Sequence, residues 1–224
     1  MSEENKKMLV RDGTLDQYVI NEQKGYNPLF TQMDVSDELN VLDIGANIGA
    51  FSHKFGFEYP NANFIGFEPD PTNFKMAVTN TDQLDNVTIH EGAVASEDGE
   101  LTFYLNNRKN KGLHSLIPIR GREEIQVRTI EFGKILDKYK PRILKMDIEG
   151  GEFYLGKWLF DLPDYIESIA IELHLTKKET KPFMWELYDS LKKQFPNIVV
   201  DPKLDEKPIE ECKTWAVLLI AHRK

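Results

Sequence analysis

The sequence predicts a doubly wound α/β fold, with a mostly parallel sheet between two layers of helices, and three observations carry that prediction. From Val41 onward short apolar runs alternate with longer amphipathic segments, the pattern of βα units feeding a parallel sheet. The first run, Val41-Leu42-Asp43-Ile44, enters a tight turn, Gly45-Ala46-Asn47-Ile48-Gly49, that opens a helix. The chain has 224 residues, 41% of them hydrophobic, enough for one core covered on both sides.

Taken in order, residues 1–38 carry Leu15, Tyr18, Val19, Tyr26 and Phe30 at loosely helical spacing. They read as a helical cap or lid ahead of a main domain over 39–224, or as a packing appendage to it. Seven strands are expected, at 40–44, 63–67, 87–91, 142–147, 168–174, 197–200 and 214–221, with helices between most of them. Between Gly99 and Ile130 the alternation breaks: 100–105 and 124–130 read as antiparallel strands around a basic, glycine-containing loop, a hairpin insertion of the kind that walls a pocket. The helix after His174 is the clearest. Thr180 can cap it, Pro182 sits in the first turn where its missing N–H costs nothing, and Met184, Leu187, Tyr188 and Leu191 form an apolar stripe that ends near Phe195.

Composition narrows the partners. Twenty-eight basic against thirty-seven acidic residues give a formal charge of −9, which repels a phosphate backbone or an anionic membrane and favours a small, locally recognised substrate. The single Cys212 excludes an intramolecular disulfide and a multi-cysteine zinc site, and suits a reducing, cytoplasmic setting. Residues 1–9 lack the apolar core of a secretory signal, and the apolar run 215–221 is far below the roughly 20 residues of a membrane-crossing helix.

The glycine turn brings backbone N–H groups toward a ligand. A dinucleotide site needs Gly-x-Gly-x-x-Gly so that the backbone can approach a pyrophosphate; here Gly45 and Gly49 are four apart, with Ala46 and Asn47 between them. Asp43 beside the turn repels a pyrophosphate. It attracts a ligand carrying an ammonium and a sulfonium and no phosphate, a description that S-adenosylmethionine meets. The second strand ends in Glu68-Pro69-Asp70-Pro71, and an acid about 20 residues past the glycine turn is where a ribose diol is held. Asn73 can assist the ribose, and Gly92 and Ala93 after the third strand leave room for a flat adenine. Two other readings share these features in part: a nicotinamide-dependent oxidoreductase, and a non-catalytic adenosyl-binding module.

Four blocks, Asp43-Ile44-Gly45-Ala46-Asn47-Ile48-Gly49, Phe67-Glu68-Pro69-Asp70, Leu144-Lys145-Met146-Asp147-Ile148-Glu149-Gly150-Gly151-Glu152 and Ile171-Glu172-Leu173-His174, make the chain resemble the FkbM-type methyltransferases. The resemblance covers about residues 39–174, and the Lys-x-Asp-x-Glu-Gly-x-Glu block is its most specific part. It implies a seven-stranded Rossmann-like sheet with an antiparallel last strand and S-adenosylmethionine as donor. It also implies O-methylation of a hydroxyl on a sugar, polyketide or other natural product. By the same likeness Asp43, Gly45, Gly49 and Glu68 bind the donor.

Strand alternation puts Lys145, Asp147 and Glu149 on one face, and Glu172 and His174 on one face of another strand. If the strands are neighbours, their carboxyl ends converge on the ligand crevice of an open α/β sheet. His174 is then the general base by residue type, with Asp147 orienting it or taking the proton directly and Glu149 beside them. Asp147, Glu149 and His174 are equally a ligand set for Mg2+. A structural alternative pairs Lys145 with Glu172 and leaves His174 as a strand-end hydrogen-bonding residue. His114 and Ser115 lie on the inserted loop, where Arg108, Lys109, Lys111, Arg120 and Arg122 form a basic cluster suited to an anionic acceptor.

Overall fold

A computed structural model describes residues 7–31, 33–35, 39–105, 121–155, 157–174, 181–200 and 216–223. The chain opens with α1 (Asp16–Glu22), a 3-10 turn (Gln23–Tyr26) and α2 (Pro28–Thr31). Next come β1 (Leu39–Ile44), α3 (Ala50–Glu58), β2 (Ala62–Glu68), α4 (Pro71–Thr81) and β3 (Val87–Glu91). The insertion holds β4 (Ala93–Ala95), β5 (Gly99–Leu105) and β6 (Glu123–Glu131). The second half comprises α5 (Phe132–Tyr139), β7 (Ile143–Met146), α6 (Glu152–Leu155), α7 (Lys157–Phe160), β8 (Ser168–His174), α8 (Lys181–Gln194), β9 (Asn197–Val200) and β10 (Ala216–His222).

Seven strands form one sheet in the order β3-β2-β1-β7-β8-β10-β9. β10 runs antiparallel to both its neighbours, β8 and β9, and the other pairings are parallel. The chain winds outward from β1 to β3, then returns to lay β7 on the other side of β1. That reversal opens a crevice at the carboxyl ends of β1 and β7. Each central strand is buried on both faces, which explains the near-continuous apolar runs. Leu42, Ile44, Leu144, Met146, Ile169 and Ile171 face the layer built by α5, α7 and α8, whereas Val41, Phe64, Ile143 and Ala170 face α3 and the amino-terminal helices.

Residues ahead of β1 share that second core. Tyr26, Leu29 and Phe30 are buried, and the Phe30 ring stacks 4.5 Å from Phe55 and 4.6 Å from Tyr59. The Ser168 hydroxyl donates to the Leu29 carbonyl at 2.9 Å, tying α2 to β8. The insertion contains the expected antiparallel pair, β5 against β6 from Gly99↔Thr129 to Leu105↔Glu123, and adds β4 parallel to β6. The stripe of α8 is buried as expected at Met184, Leu187, Tyr188 and Leu191. One expectation needs correction: β7 stops at Met146, so Asp147 and Glu149 sit in a turn beyond it, with Glu149 at φ 53°. The loop carrying His114, Ser115 and most of the basic cluster, together with Thr180 and Cys212, lies outside the described residues.

Candidate functional site

Two cavities meet at the crevice. The first, about 570 Å³, runs along the ends of β1, β2 and β3 and under the inserted sheet. Of the expected donor residues, Gly45, Asn47, Glu68, Pro69, Asn73, Gly92 and Ala93 line it. Glu68 closes β2 and is 5% exposed; its Oε2 accepts the Asn47 N–H at 2.8 Å and its Oε1 the Asp70 N–H at 2.9 Å. Burial pushes its carboxyl up to about 8 against these two hydrogen bonds. Asp70 caps α4 by accepting from the Thr72 and Asn73 N–H groups, with Pro71 at the first helical position. The cap buries Asn73 against the cleft, where its Oδ1 has no partner among the described residues. A second wall comes from Phe103 of β5, which residue types in the insertion did not reveal; only the alternation of β5 marks it as inward-facing.

Three expected donor residues lie elsewhere. Asp43 is fully buried and lines neither cavity: its Oδ2 accepts the Ser52 hydroxyl at 2.8 Å and its Oδ1 is 3.1 Å from Lys145 Nζ. Lys145 also donates to the Gly45 carbonyl at 2.8 Å, so the lysine ties β7 to the glycine turn. This replaces the alternative in which Lys145 pairs with Glu172. Burial alone would lower the lysine's pKa, but Asp43 and Asp147 raise it above the ordinary value. Gly49 caps α3 at φ 80° and abuts Ala77, where a Cβ would come within 3.1 Å of the Ala77 Cα. Ala46 faces the second cavity instead of the first.

The turn differs from expectation in its polarity. The Gly45 and Ala46 N–H groups both donate to the Phe67 carbonyl at 3.0 Å, and the Asn47 N–H is taken by Glu68. The turn is therefore stitched to β2 and does not aim these N–H groups at a phosphate. Gly45, at φ 80°, is required: a Cβ there would lie 1.8 Å from the Asp147 carbonyl oxygen.

The second cavity, about 1380 Å³, lies between the turn and the amino-terminal helices. Glu22, Gln23, Tyr18 and Tyr26 wall one side, and Lys145, Glu172 and His174 the other. Gly45, Asn47, Asp147 and Glu149 line both cavities, so the turn after β7 stands at their junction. His174 is 2% exposed and lies between two carboxylates, Nε2 3.4 Å from Glu149 and Nδ1 3.1 Å from Glu152. Burial would lower its pKa, yet the charge of Glu152 and the hydrogen bonds to both glutamates lift it well above the ordinary histidine value. Both ring nitrogens of His174 thus face carboxylates, Glu149 and Glu152. Glu152 was not singled out from the sequence, although its place in the acidic block was the available signal. Burial first, then Asp147, pushes Glu172 up to about 8. One ligand atom each from Asp147, Glu149 and His174 lies within 4.8 Å of the others, close enough to hold a cation.

The other described histidines have local partners. His53 packs edge-on against Phe57, His90 is 3.0 Å from the Tyr139 hydroxyl, and His222 is 2.9 Å from the Ser168 hydroxyl.

A sheet in this order with β10 reversed, a glycine turn after β1 and a carboxylate closing β2 in a nucleoside-sized cleft define a Rossmann-like domain of the class I methyltransferase type. The chain belongs to the FkbM methyltransferase family: residues 43–193 match the model of the methyltransferase FkbM domain. It is similar to Methyltransferase 1 of Beauveria bassiana, 27% identical over 162 residues that cover 61% of this chain and 65% of that protein. It is also similar to the hexuronic acid methyltransferase AglP of Haloferax volcanii, 24% identical over 147 residues that cover 63% and 59%. The chain thus spans less than two thirds of the length of these curated relatives. Among solved structures, methyltransferase FkbM from Methylobacillus flagellatus superposes with a TM-score of 0.51 at 17% identity, covering 98% of this chain and 57% of that one, and shares the fold. No helix among the described residues is long and apolar enough to cross a membrane.

Proposed function

We propose that this chain is an S-adenosylmethionine-dependent methyltransferase that transfers the methyl group to a hydroxyl of a small-molecule acceptor. The observation that carries the reading is the junction of the two cavities at Gly45, Asn47, Asp147 and Glu149. One cavity fits the donor. Glu68, pinned by two backbone N–H groups, and the unpartnered Oδ1 of Asn73 suit a ribose, and the cleft offers carboxylates where a pyrophosphate would need donors. When bound, the donor supplies an electrophilic methyl on a sulfonium.

The chain's own residues then have three tasks. Glu68 and Asn73 orient the nucleoside, and the Gly45 turn, held by Lys145 and Phe67, sets the depth to which it enters. α1 and the 3-10 turn cover the second cavity, which excludes water from the acceptor and aligns its oxygen. The acceptor's proton goes to Asp147. Of the two ionisable residues common to both cavities, Glu149 is engaged with His174, which leaves the Asp147 carboxylate for the hydroxyl. His174 and Glu152 act behind it by fixing Glu149.

A second reading rests on the proximity of Asp147, Glu149 and His174: a Mg2+ ion held there would lower the hydroxyl's pKa. A magnesium titration followed by calorimetry separates the two, since binding with a matching rise in turnover favours the metal. The acidic surface and the single Cys212 support a cytoplasmic enzyme without nucleic-acid partners. Calorimetry with S-adenosylmethionine, S-adenosylhomocysteine and NAD tests the central reading. Micromolar binding of the first two, with S-adenosylhomocysteine formed from an acceptor pool, is expected; binding of NAD alone would overturn it.

A further inference from the structure

The second cavity carries an imbalance that methyl transfer to a hydroxyl does not require. Its walls include Glu22, Asp147, Glu149 and Glu172 against Lys145 and His174. Neither cation serves those walls fully. Lys145 is bound to Asp43 and to the Gly45 carbonyl, and His174 is shared between Glu149 and Glu152. With Asp43 and Glu152 behind the wall, six acidic side chains meet two basic ones among the described residues.

Three further features point to what is missing. Glu172 lines the cavity and makes no hydrogen bond or ion pair among the described residues. Gln23 is 6% exposed and lines the cavity, and its Oε1 has no partner while its Nε2 donates to the Val19 carbonyl. Tyr18 and Tyr26 add aromatic surface to the same wall. Acceptor oxygens and aromatic faces are the complement of an ammonium group. An anionic acceptor, which the basic inserted loop suggested, meets four acidic side chains on these walls.

We propose that the acceptor carries a protonated amine, bound by Glu172 with Glu22 and the tyrosines, while its hydroxyl is presented to Asp147. The proposal rests on the methyltransferase reading and adds a substrate class to it: an amino-bearing, hydroxylated small molecule. Glu22 lies at the exposed rim and contributes by attraction; Glu172 sits deeper and makes the contact.

The test uses the full chain saturated with S-adenosylhomocysteine and three probes that share one ring: glucosamine, glucose and glucuronate, with affinities read by ligand-observed NMR. Glucosamine is expected to bind tightest. Glu172→Gln is expected to weaken it about tenfold and Glu22→Gln about threefold. Neither variant should change the affinity for S-adenosylhomocysteine, and Glu22→Lys should shift the preference toward glucuronate. Equal or tighter binding of glucuronate by the wild type, or no binding of any probe, overturns the proposal. Failure of S-adenosylhomocysteine itself to bind overturns the methyltransferase reading instead.

Discussion

Replacing Glu68 by Gln isolates the contribution of one buried carboxylate to donor binding. Both its oxygens already accept a backbone N–H, at 2.8 Å from Asn47 and 2.9 Å from Asp70, so its orientation is set before any ligand arrives. A ribose diol adds two donors to the same charged group, each worth on the order of 1.5–3 kcal/mol. The amide keeps one acceptor oxygen and turns its NH2 toward a backbone donor. The expected loss is on the order of 2–3 kcal/mol, or about 30- to 150-fold in Kd. Calorimetry against S-adenosylhomocysteine measures it directly.

The same residue predicts a pH dependence. With its carboxyl pushed up to about 8 by burial, Glu68 is largely protonated at neutral pH before the donor binds, and the diol favours the ionised form. Affinity therefore rises with pH, by up to about tenfold per unit, and levels off above about 8. The donor's own amino group titrates near there, so the Glu68→Gln curve serves as the baseline. Stability runs the other way. A carboxyl whose folded pKa lies above its ordinary 4.5 binds more protons in the fold than in the unfolded chain, so the ligand-free protein loses stability as pH climbs from about 4.5 to 8. Wild-type affinity in the Glu68→Gln variant, or a pH profile the two proteins share, would refute the assignment of Glu68 to the ribose.

Three other perturbations give distinct outcomes. Gly45→Ala forces a Cβ to 1.8 Å from the Asp147 carbonyl at a left-handed φ, and urea unfolding should show a loss of more than about 3 kcal/mol. Lys145→Met strands the buried Asp43 and should cost about 3–5 kcal/mol, most of it recovered in the double variant Asp43→Asn/Lys145→Met, where no lone charge remains. Asp147→Asn should lower kcat at least about 100-fold with the folded state and the acceptor KM little changed, whereas His174→Gln should retain the acid limb of the pH–rate profile. A lost limb in the histidine variant would return the base to His174.

The sheet was readable because each central strand is buried on both faces and hence written as an apolar run, and the turns between runs are marked by glycine, proline and capping residues such as Asp70. The place of Glu68 was readable for the same reason: it is the acid that closes an apolar strand. Asp43 misled because its position in a motif says that a carboxylate is needed, and not what it faces. The partner that neutralises it, Lys145, lies 102 positions away and is brought close only by the β1–β7 pairing of Asp43 with Lys145. The surroundings of His174 were hidden similarly, since a left-handed backbone at Glu149 and the short helix α6 carry Glu149 and Glu152 toward it. The amino-terminal wall of the second cavity was legible only as a helical cap or lid, without its place at the cavity. Tyr18, Glu22, Gln23 and Tyr26 look like any amphipathic segment until Tyr26, Leu29 and Phe30 lock into the core beside Phe51. Local pattern thus specifies which face of an element is buried, whereas the charge balance of a site depends on contacts between distant segments. In this chain the proposed donor half of the site is mostly local and the proposed acceptor half is almost wholly non-local.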